Sequence, residues 1–309
     1  MRARPDSIDA PSRSDIRRAR GAPTTTDVRT SSDIPVAAEA SDVDVPVSEA
    51  ATVMLVRDGA DGRGPEVFML RRTHSAVFGG GYYVFPGGRL DPADRGAAVY
   101  SLSEGLDDPS ASAMLGVDGG GLGYWMAAIR ECFEEAGVLI ALDAAGKTVR
   151  FDDPVVAARF SNYREQVHSG ERSLAAICDA EALRLNTGAL RYVSHWITPV
   201  PSPRRFTTRF LVARAPHAQD PLHDNSETIA SVWIRPADAL DKLDAGEWQM
   251  MSPTWTNLGF LAAHNSADAI LAAAARVANP HVVRPKIVTE PNGQVVEFLP
   301  GDPGYDDAE

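Results

Sequence analysis

The chain has 309 residues, of which 44% are hydrophobic and 23% are charged. This composition is typical of a globular protein that buries a sizeable core. The formal net charge of −12 argues against non-specific binding to nucleic acid, because an acidic surface repels the phosphate backbone at long range. A small phosphorylated substrate stays open, since a bound metal ion can reverse the charge at a local site.

Two features of the sequence bear on where the protein works. Cys132 and Cys178 are the only cysteines, which excludes a disulfide framework and favours a reducing compartment. The sequence has no run of about 18 apolar residues that could cross a membrane, and its N-terminus lacks the apolar stretch of a signal peptide. We therefore expect a cytoplasmic protein that binds neither a membrane nor nucleic acid.

The composition divides the chain into three parts. Residues 1–48 are rich in Ser, Thr, Asp, Arg, Ala and Pro, and such a segment buries too little apolar surface to offset the entropy of ordering it. We predict a disordered N-terminal tail at 1–48, one domain at 49–279 and an extension at 280–309. The extension contains Asn-Gly between two alternating apolar runs, which predicts a hairpin that could pair across a homodimer.

Strands and helices follow each other irregularly along the domain. The predicted strands are apolar runs rich in β-branched and aromatic residues, at 51–57, 66–71, 82–85, 191–198, 206–213 and 228–234. The predicted helices occupy 122–137, most of 153–185, 236–243 and 253–278. Residues 95–121 contain many Gly, Ser and Asp and are predicted to form a loose insertion. This order, without strict βαβ alternation, predicts an α/β (α+β) domain with a mixed sheet flanked by helices.

One helix carries a cluster of carboxylates. Glu131, Glu134 and Glu135 lie at positions i, i+3 and i+4, so their side chains share a face and repel one another. A divalent cation would relieve that repulsion, and Mg²⁺ or Mn²⁺ prefer oxygen ligands. Arg130, four residues before Glu134, can hold a carboxylate in place through its planar fork. The alternative is a solvated acidic face on an ordinary amphipathic helix.

These residues stand in a recognisable context. Upstream, a predicted strand ends on Phe85-Pro86-Gly87-Gly88, a turn that could bring backbone carbonyls close to a metal. The sequence resembles the Nudix hydrolases, whose signature is G-x5-E-x7-R-E-U-x-E-E-x-G-U, where U is an aliphatic residue. Gly88 matches the first position, and the second half is matched by Arg130-Glu131-Cys132-x-Glu134-Glu135-x-Gly137-Val138. The resemblance implies an α/β/α sandwich.

The first half of the signature departs from the pattern. Asp94 stands where the first glutamate is expected, and 35 residues separate it from Arg130 where the pattern has seven. An insertion at this place resembles the branch of peroxisomal-type coenzyme A diphosphatases and their bacterial relatives. A coenzyme A motif of the family is half matched, since Arg72, Gly81 and Phe85-Pro-Gly-Gly88 fit it whereas Thr73 and Val77 do not.

The resemblance implies metal-dependent hydrolysis of a nucleoside diphosphate linked to another group. It implies that the Mg²⁺ or Mn²⁺ ligands are Glu131, Glu134, Glu135 and the Gly88 carbonyl. Glu131 could instead be the general base, because members of the family differ in which carboxylate serves, and Arg130 would orient the carboxylates. Candidate substrate contacts are Arg72, Gly87, Arg204 and Arg205, since arginine binds phosphate in a bidentate manner. Glu227 could be a further distal carboxylate and Asp94 a supporting residue.

Three functions remain open from the sequence. The first is hydrolysis of coenzyme A or acyl-coenzyme A to 3′,5′-ADP and (acyl-)phosphopantetheine. The second is pyrophosphatase activity on ADP-ribose, NADH or a nucleotide sugar. The third is a non-catalytic nucleotide-binding or regulatory module, which the intact set of Arg130, Glu131, Glu134 and Glu135 argues against, because a binding module has no need of crowded carboxylates.

Overall fold

The computed structural model describes residues 29–30, 45–74, 79–224, 227–278, 280–291 and 293–308. Most of the predicted tail, at 1–28 and 31–44, lies outside these residues, as does Val77. Two described parts of that tail are in strands, because Arg29–Thr30 forms the short strand β1 and β2 begins at Val47. The predicted boundary at 48 therefore falls inside a strand.

The strands agree closely with the apolar runs of the sequence. After β1 they are β2 Val47–Asp58, β3 Pro65–Arg72, β4 Tyr83–Val84, β5 Gly87–Arg89, β6 Ala141–Leu142, β7 Arg184–Leu185, β8 Arg191–Ile197, β9 Arg205–Arg214, β10 Thr228–Ile234, β11 Val282–Val283, β12 Lys286–Thr289 and β13 Val295–Phe298. The helices are α1 Ala97–Tyr100, α2 Asp108–Leu115, α3 Leu122–Ala136, α4 Pro154–His168, α5 Leu174–Ala180, α6 Pro236–Asp244, α7 Ser252–Ala262 and α8 Ala267–Ala274.

The main sheet is mixed. Its strands run in the order β10-β3-β2-β9-β8-β11, with β4 beside β3 and β5 beside β2. The β2–β9 and β8–β11 pairs are parallel, and the other pairs are antiparallel. The predicted mixed-sheet α/β fold is confirmed, and β2 and β3 form an antiparallel hairpin from the strands predicted at 51–57 and 66–71.

Alternation along β2 builds a core on each face of the sheet. Val53 and Leu55 belong to the core that contains α3, whereas Met54 and Val56 belong to the core that contains α7 and α8. All four side chains are fully buried, as expected for a strand covered on both sides. Helices on both faces make the α/β/α sandwich that the resemblance implies.

The structure corrects two predictions about helices. The insertion predicted to be loose contains α1 and α2; α2 begins where the Asp107 carboxylate accepts the Ser110 N–H at 2.8 Å. The helix predicted at 253–278 is two helices, because Ser266 caps a new helix by accepting the Ala269 N–H at 3.1 Å. The region 153–185 is mostly helical, as predicted, and contains α4 and α5, with Ser173 capping α5.

The C-terminal extension forms the predicted hairpin, in which β12 and β13 pair antiparallel. β13 also pairs with β1, which gives a small three-stranded sheet. Across the described part of the chain, no helix is long and apolar enough to span a membrane.

Candidate active site

A cleft of about 610 Å³ lies across the N-terminal part of β2, within the size range of small-molecule sites. We call its two parts the polar end and the apolar end. The polar end is formed by Gly87, Gly88, Glu131 and Glu135, and the apolar end by Trp196, Phe206, Pro285 and Ile287. The cleft is therefore built by α3 and β5 on one side and by β8, β9 and the C-terminal hairpin on the other.

The helix α3 presents the carboxylates to the polar end. Its buried residues include Trp125, Ile129 and Phe133 at helical spacing, and it ends at Gly137, whose φ of 68° suits a glycine cap. Glu131 and Glu135 are one turn apart and both line the cleft. Oε2 of Glu135 accepts a hydrogen bond of 2.8 Å from the Gly87 N–H, which joins the helix to the turn before β5.

Arg130 holds the other carboxylates together. Its guanidinium donates two bonds of 2.9 Å to Asp94, one of 2.9 Å to Glu131 and one of 2.9 Å to Glu134. It also donates to the Arg89 carbonyl at 2.8 Å. Because this side chain is only 15% exposed, these charge-assisted bonds act in a partly dry environment. Arg130 orients the carboxylates, as the sequence predicts.

Asp94 reaches Arg130 despite the insertion between them. It lies in a 3₁₀ turn, Pro92–Arg95, whose start is fixed by a reciprocal capping box between Asp91 and Asp94. The Asp94 side chain is 4% exposed, so its charge needs the bidentate partner that Arg130 supplies. The contact identifies Asp94 as a residue that positions Arg130.

Burial sets the protonation of the carboxylates at the polar end. Desolvation raises the pKa of Glu131 to about 7, against the opposing effect of Arg130. Desolvation also raises the pKa of Glu135 well above its usual value, and the nearby Glu131 charge adds to the shift. Burial at the polar end therefore disfavours the charged form of both carboxyl groups.

The turn at Gly87 and Gly88 approaches these carboxylates too closely for any larger residue. A Cβ on Gly88 would lie 2.6 Å from the Glu131 carboxyl carbon, and one on Gly87 would lie 2.5 Å from the Ala51 carbonyl oxygen. Only glycine leaves the main chain this close to the acidic groups.

The segment that carries this geometry is similar to known proteins. Residues 118–261 match the family model described as the NUDT19 Nudix domain, and this segment contains α3 with its carboxylates. The chain resembles the Nudix hydrolases. It resembles the "Acyl-coenzyme A diphosphatase NUDT19" of Gallus gallus, with 28% identity over 83% of this chain and 79% of that protein.

Two further relatives extend this likeness. The protein of the same name from Xenopus laevis is 27% identical over 57% of this chain, and the match spans about half, 54%, of its length. A crystal structure of a Nudix hydrolase from Alicyclobacillus acidocaldarius superposes with a TM-score of 0.63, at 28% identity over 74% of this chain and 97% of that one. These likenesses support the branch with a long insertion.

Nudix hydrolases generally need a divalent metal ion, and the donors of this cleft suit one. Among the residues that the structure describes, no three His, Cys, Asp or Glu side chains are arranged to hold an ion together. Glu131 and Glu135 are nevertheless two buried, mutually repelling oxygen donors beside a glycine turn with no room for a side chain, and a hard cation would relieve that repulsion. Glu131, Glu135 and the Gly88 carbonyl would hold it.

The structure separates the remaining predicted residues into two groups. Arg72, Arg204 and Glu227 line the cleft with the predicted carboxylates. Arg205 does not line it, and instead donates to the Thr198 carbonyl at 3.2 Å, because alternate residues of a strand point to opposite faces. Glu134 also lies off the cleft lining, turned towards Arg130 and His168; its ligand role stays a prediction.

Two contributions to the site were missed in the sequence. Arg164 of α4 donates to the backbone carbonyls of Glu134 and Glu135 at 2.7 and 2.8 Å, where the helix end leaves carbonyls without helical partners. Pro285, Ile287 and Glu297 of the C-terminal extension line the cleft. Neither contribution has a local signal, because each depends on segments far apart in sequence.

Proposed function

We propose that this protein cleaves the diphosphate of coenzyme A or acyl-coenzyme A to 3′,5′-ADP and (acyl-)phosphopantetheine, with Mg²⁺ or Mn²⁺ as cofactor. One observation carries the proposal. The cleft combines acidic side chains and arginines with an apolar part, which matches a substrate that joins a charged diphosphate to a long uncharged arm. The names of the chicken and frog relatives agree with this substrate.

The residues of the cleft divide the work of hydrolysis. Arg72 and Arg204 donate to the diphosphate oxygens, since both line the cleft. Arg72 is suited to this because its Nε is buried and has no hydrogen-bond partner among the described residues, a cost that an anionic ligand removes. A cation held at the polar end would supply charge neutralisation for the phosphates.

Glu131 is the candidate base, and in that role it leaves the cation to Glu135 and the Gly88 carbonyl. It accepts the proton of the attacking water while a P–O bond of the anhydride breaks and the leaving phosphate takes the bridging oxygen. Arg130 keeps the Glu131 carboxylate in place through the 2.9 Å bond, and Asp94 keeps Arg130 in place. The same residues serve every diphosphate substrate, so they do not by themselves choose among coenzyme A, ADP-ribose, NADH and nucleotide sugars.

A hydrolysis screen tests the proposal. Purified protein is incubated with coenzyme A, octanoyl-coenzyme A, ADP-ribose, NADH and UDP-glucose, each with Mg²⁺, Mn²⁺ or EDTA, and the products are identified by mass spectrometry. We expect 3′,5′-ADP from the two coenzyme A substrates, only with metal, at a kcat/KM at least tenfold above the others. Preference for ADP-ribose, NADH or UDP-glucose would replace the substrate assignment, and no turnover despite metal binding would favour the non-catalytic module.

The cellular setting is proposed separately. Both cysteines are buried and free, which agrees with a reducing, cytoplasmic location, and pairing of the C-terminal hairpin across a homodimer stays a prediction.

A further inference from the structure

The C-terminal hairpin lies against the catalytic cleft, although it follows the segment that matches the family model, which ends at 261. β11 pairs in parallel with β8, with Val283 opposite Trp196. Two residues later the chain reaches Pro285, which is buried and lines the cleft, and then Ile287, which is half-buried and also lines it. The hairpin is therefore part of the wall of the site.

Several contacts keep the hairpin in this position. Val283 and Leu299 belong to the core formed with α7 and α8. Ser252, at the start of α7, donates a hydrogen bond of 2.7 Å to Glu297 on β13. Lys286 donates to the Ala308 carbonyl at 2.7 Å. Packing and hydrogen bonds at both ends of the hairpin define where Ile287 stands.

The sheet register places the wall at a defined distance from the carboxylates. Ala50 on β2 pairs with Arg89 on β5 and with Thr208 on β9, and Thr208 pairs with Trp196 on β8. This row crosses three strand spacings, about 15 Å, and its members line the cleft floor. A substrate whose diphosphate lies at the polar end must therefore send an extended arm across the sheet to reach Ile287.

The wall at that distance has an apolar part. Trp196, Phe206, Pro285 and Ile287 line it, and burying an alkyl group against such surface is favourable. Glu297, which pairs with Ile287 across the hairpin, also lines the cleft and accepts the Ser252 hydrogen bond. The apolar part suits a hydrocarbon chain.

We propose that the C-terminal hairpin forms the acyl-binding wall of the cleft and that Ile287 contacts the acyl chain, so that this residue sets the preference for acylated over free coenzyme A. This inference rests on the proposed function. Ile287 acts on substrate choice only, since it does not belong to the polar end.

The test compares two variants of the same strand. In Ile287→Glu a charge enters the cleft wall, whereas in the control Thr289→Glu the same charge is added at an exposed position of β12 outside the cleft lining. We expect Ile287→Glu to lower the ratio of kcat/KM for octanoyl-coenzyme A to that for coenzyme A by about tenfold, mainly through KM. Thr289→Glu should leave the ratio within twofold of wild type.

A second variant keeps the inference testable if Ile287→Glu does not fold. Ile287→Trp keeps the wall apolar but fills the cleft, so kcat/KM should fall several-fold more for palmitoyl-coenzyme A than for acetyl-coenzyme A. A ratio and chain-length profile unchanged in both variants, with unfolding temperatures like wild type, would overturn the inference. Failure of the wild-type protein to hydrolyse any coenzyme A substrate would instead overturn the proposed function, so the two failures are distinguishable.

Discussion

The two ends of the cleft are built in different ways. At the polar end, charged groups from one helix and two neighbouring turns are fixed by short hydrogen bonds, with Arg130 alone donating to three carboxylates. At the apolar end, side chains from β8, β9 and a distant hairpin meet by packing. The reactive geometry therefore depends on a local charge network, whereas the shape offered to the substrate depends on packing between segments that are far apart in the sequence.

The two ends also differ in how they affect the stability of the folded protein. Buried Glu131 and Glu135 have raised pKa values without a cation, so the polar end is destabilised in the absence of its ligand. The apolar end buries hydrocarbon and carries no such penalty. Changes at the polar end should therefore alter catalysis of every substrate, and changes at the apolar end should alter choice among substrates.

The largest effect is expected from Glu135→Gln. This change keeps the shape and the acceptor for the Gly87 N–H but removes a ligand charge, so kcat/KM should fall about thousandfold for every substrate. Isothermal titration should show weakened Mn²⁺ binding. Glu165→Gln, on the exposed face of α4, is the control and should change neither quantity. A loss confined to acylated substrates would contradict the separation of the two ends.

Removal of the Arg130 guanidinium is expected to have the next largest effect, which is a loss of stability. In Arg130→Met, Asp94, Glu131 and Glu134 lose their shared partner while still buried, and the free energy of unfolding should drop by about 3 kcal/mol. Urea unfolding measures it. Arg150→Met removes an exposed arginine that pairs with exposed Asp152 and should leave the unfolding midpoint nearly unchanged. Equal midpoints for the two variants would show that the charge network does not support the polar end.

The pH dependence of stability tests the electrostatic cost directly. A carboxyl whose pKa rises from 4.5 to about 7 on folding stabilises the fold below the lower value and loses that contribution as pH rises to the upper one. The measurement compares the unfolding free energies of wild type and Glu131→Gln in EDTA. Between pH 4.5 and 7.5, wild type should lose about 3 kcal/mol of stability relative to the variant.

Added Mg²⁺ should reduce that change, because the cation stabilises the charged form. A difference between the two proteins that is constant with pH in EDTA would contradict the buried, raised state of Glu131.

The smallest of these effects concerns phosphate binding. Arg72→Met removes the guanidinium that lines the cleft, and kcat/KM should fall about thirtyfold for all diphosphate substrates. Arg71→Met is the matched control, because this neighbour on β3 lies off the cleft lining and reaches Tyr83 and the Gly81 carbonyl instead. Similar losses in both variants would place the phosphates elsewhere.

Local patterns in the sequence predicted much of the fold. The strands at 191–198, 206–213 and 228–234 and the C-terminal hairpin lie within about a residue of their predicted bounds, because alternation and turn residues act over short distances. The prediction of one helix at 253–278 was wrong, since its alanine-rich pattern does not show that Ser266 caps a second helix. The prediction of a loose insertion was wrong for the same reason, since Asp107 and Gly116 cap α2.

The sequence by itself determined the chemistry of the polar end, because Arg130, Glu131, Glu134 and Glu135 share one helix whose geometry is fixed by spacing alone. Only the tertiary structure decided that Asp94 meets Arg130 across the insertion, that Glu131 and Glu135 line the cleft while Glu134 and Arg205 do not, and that Ile287 lines the apolar end. The physical reason is that these contacts join segments far apart in the chain, and their partners are chosen by sheet register and core packing, which no local pattern of residues specifies.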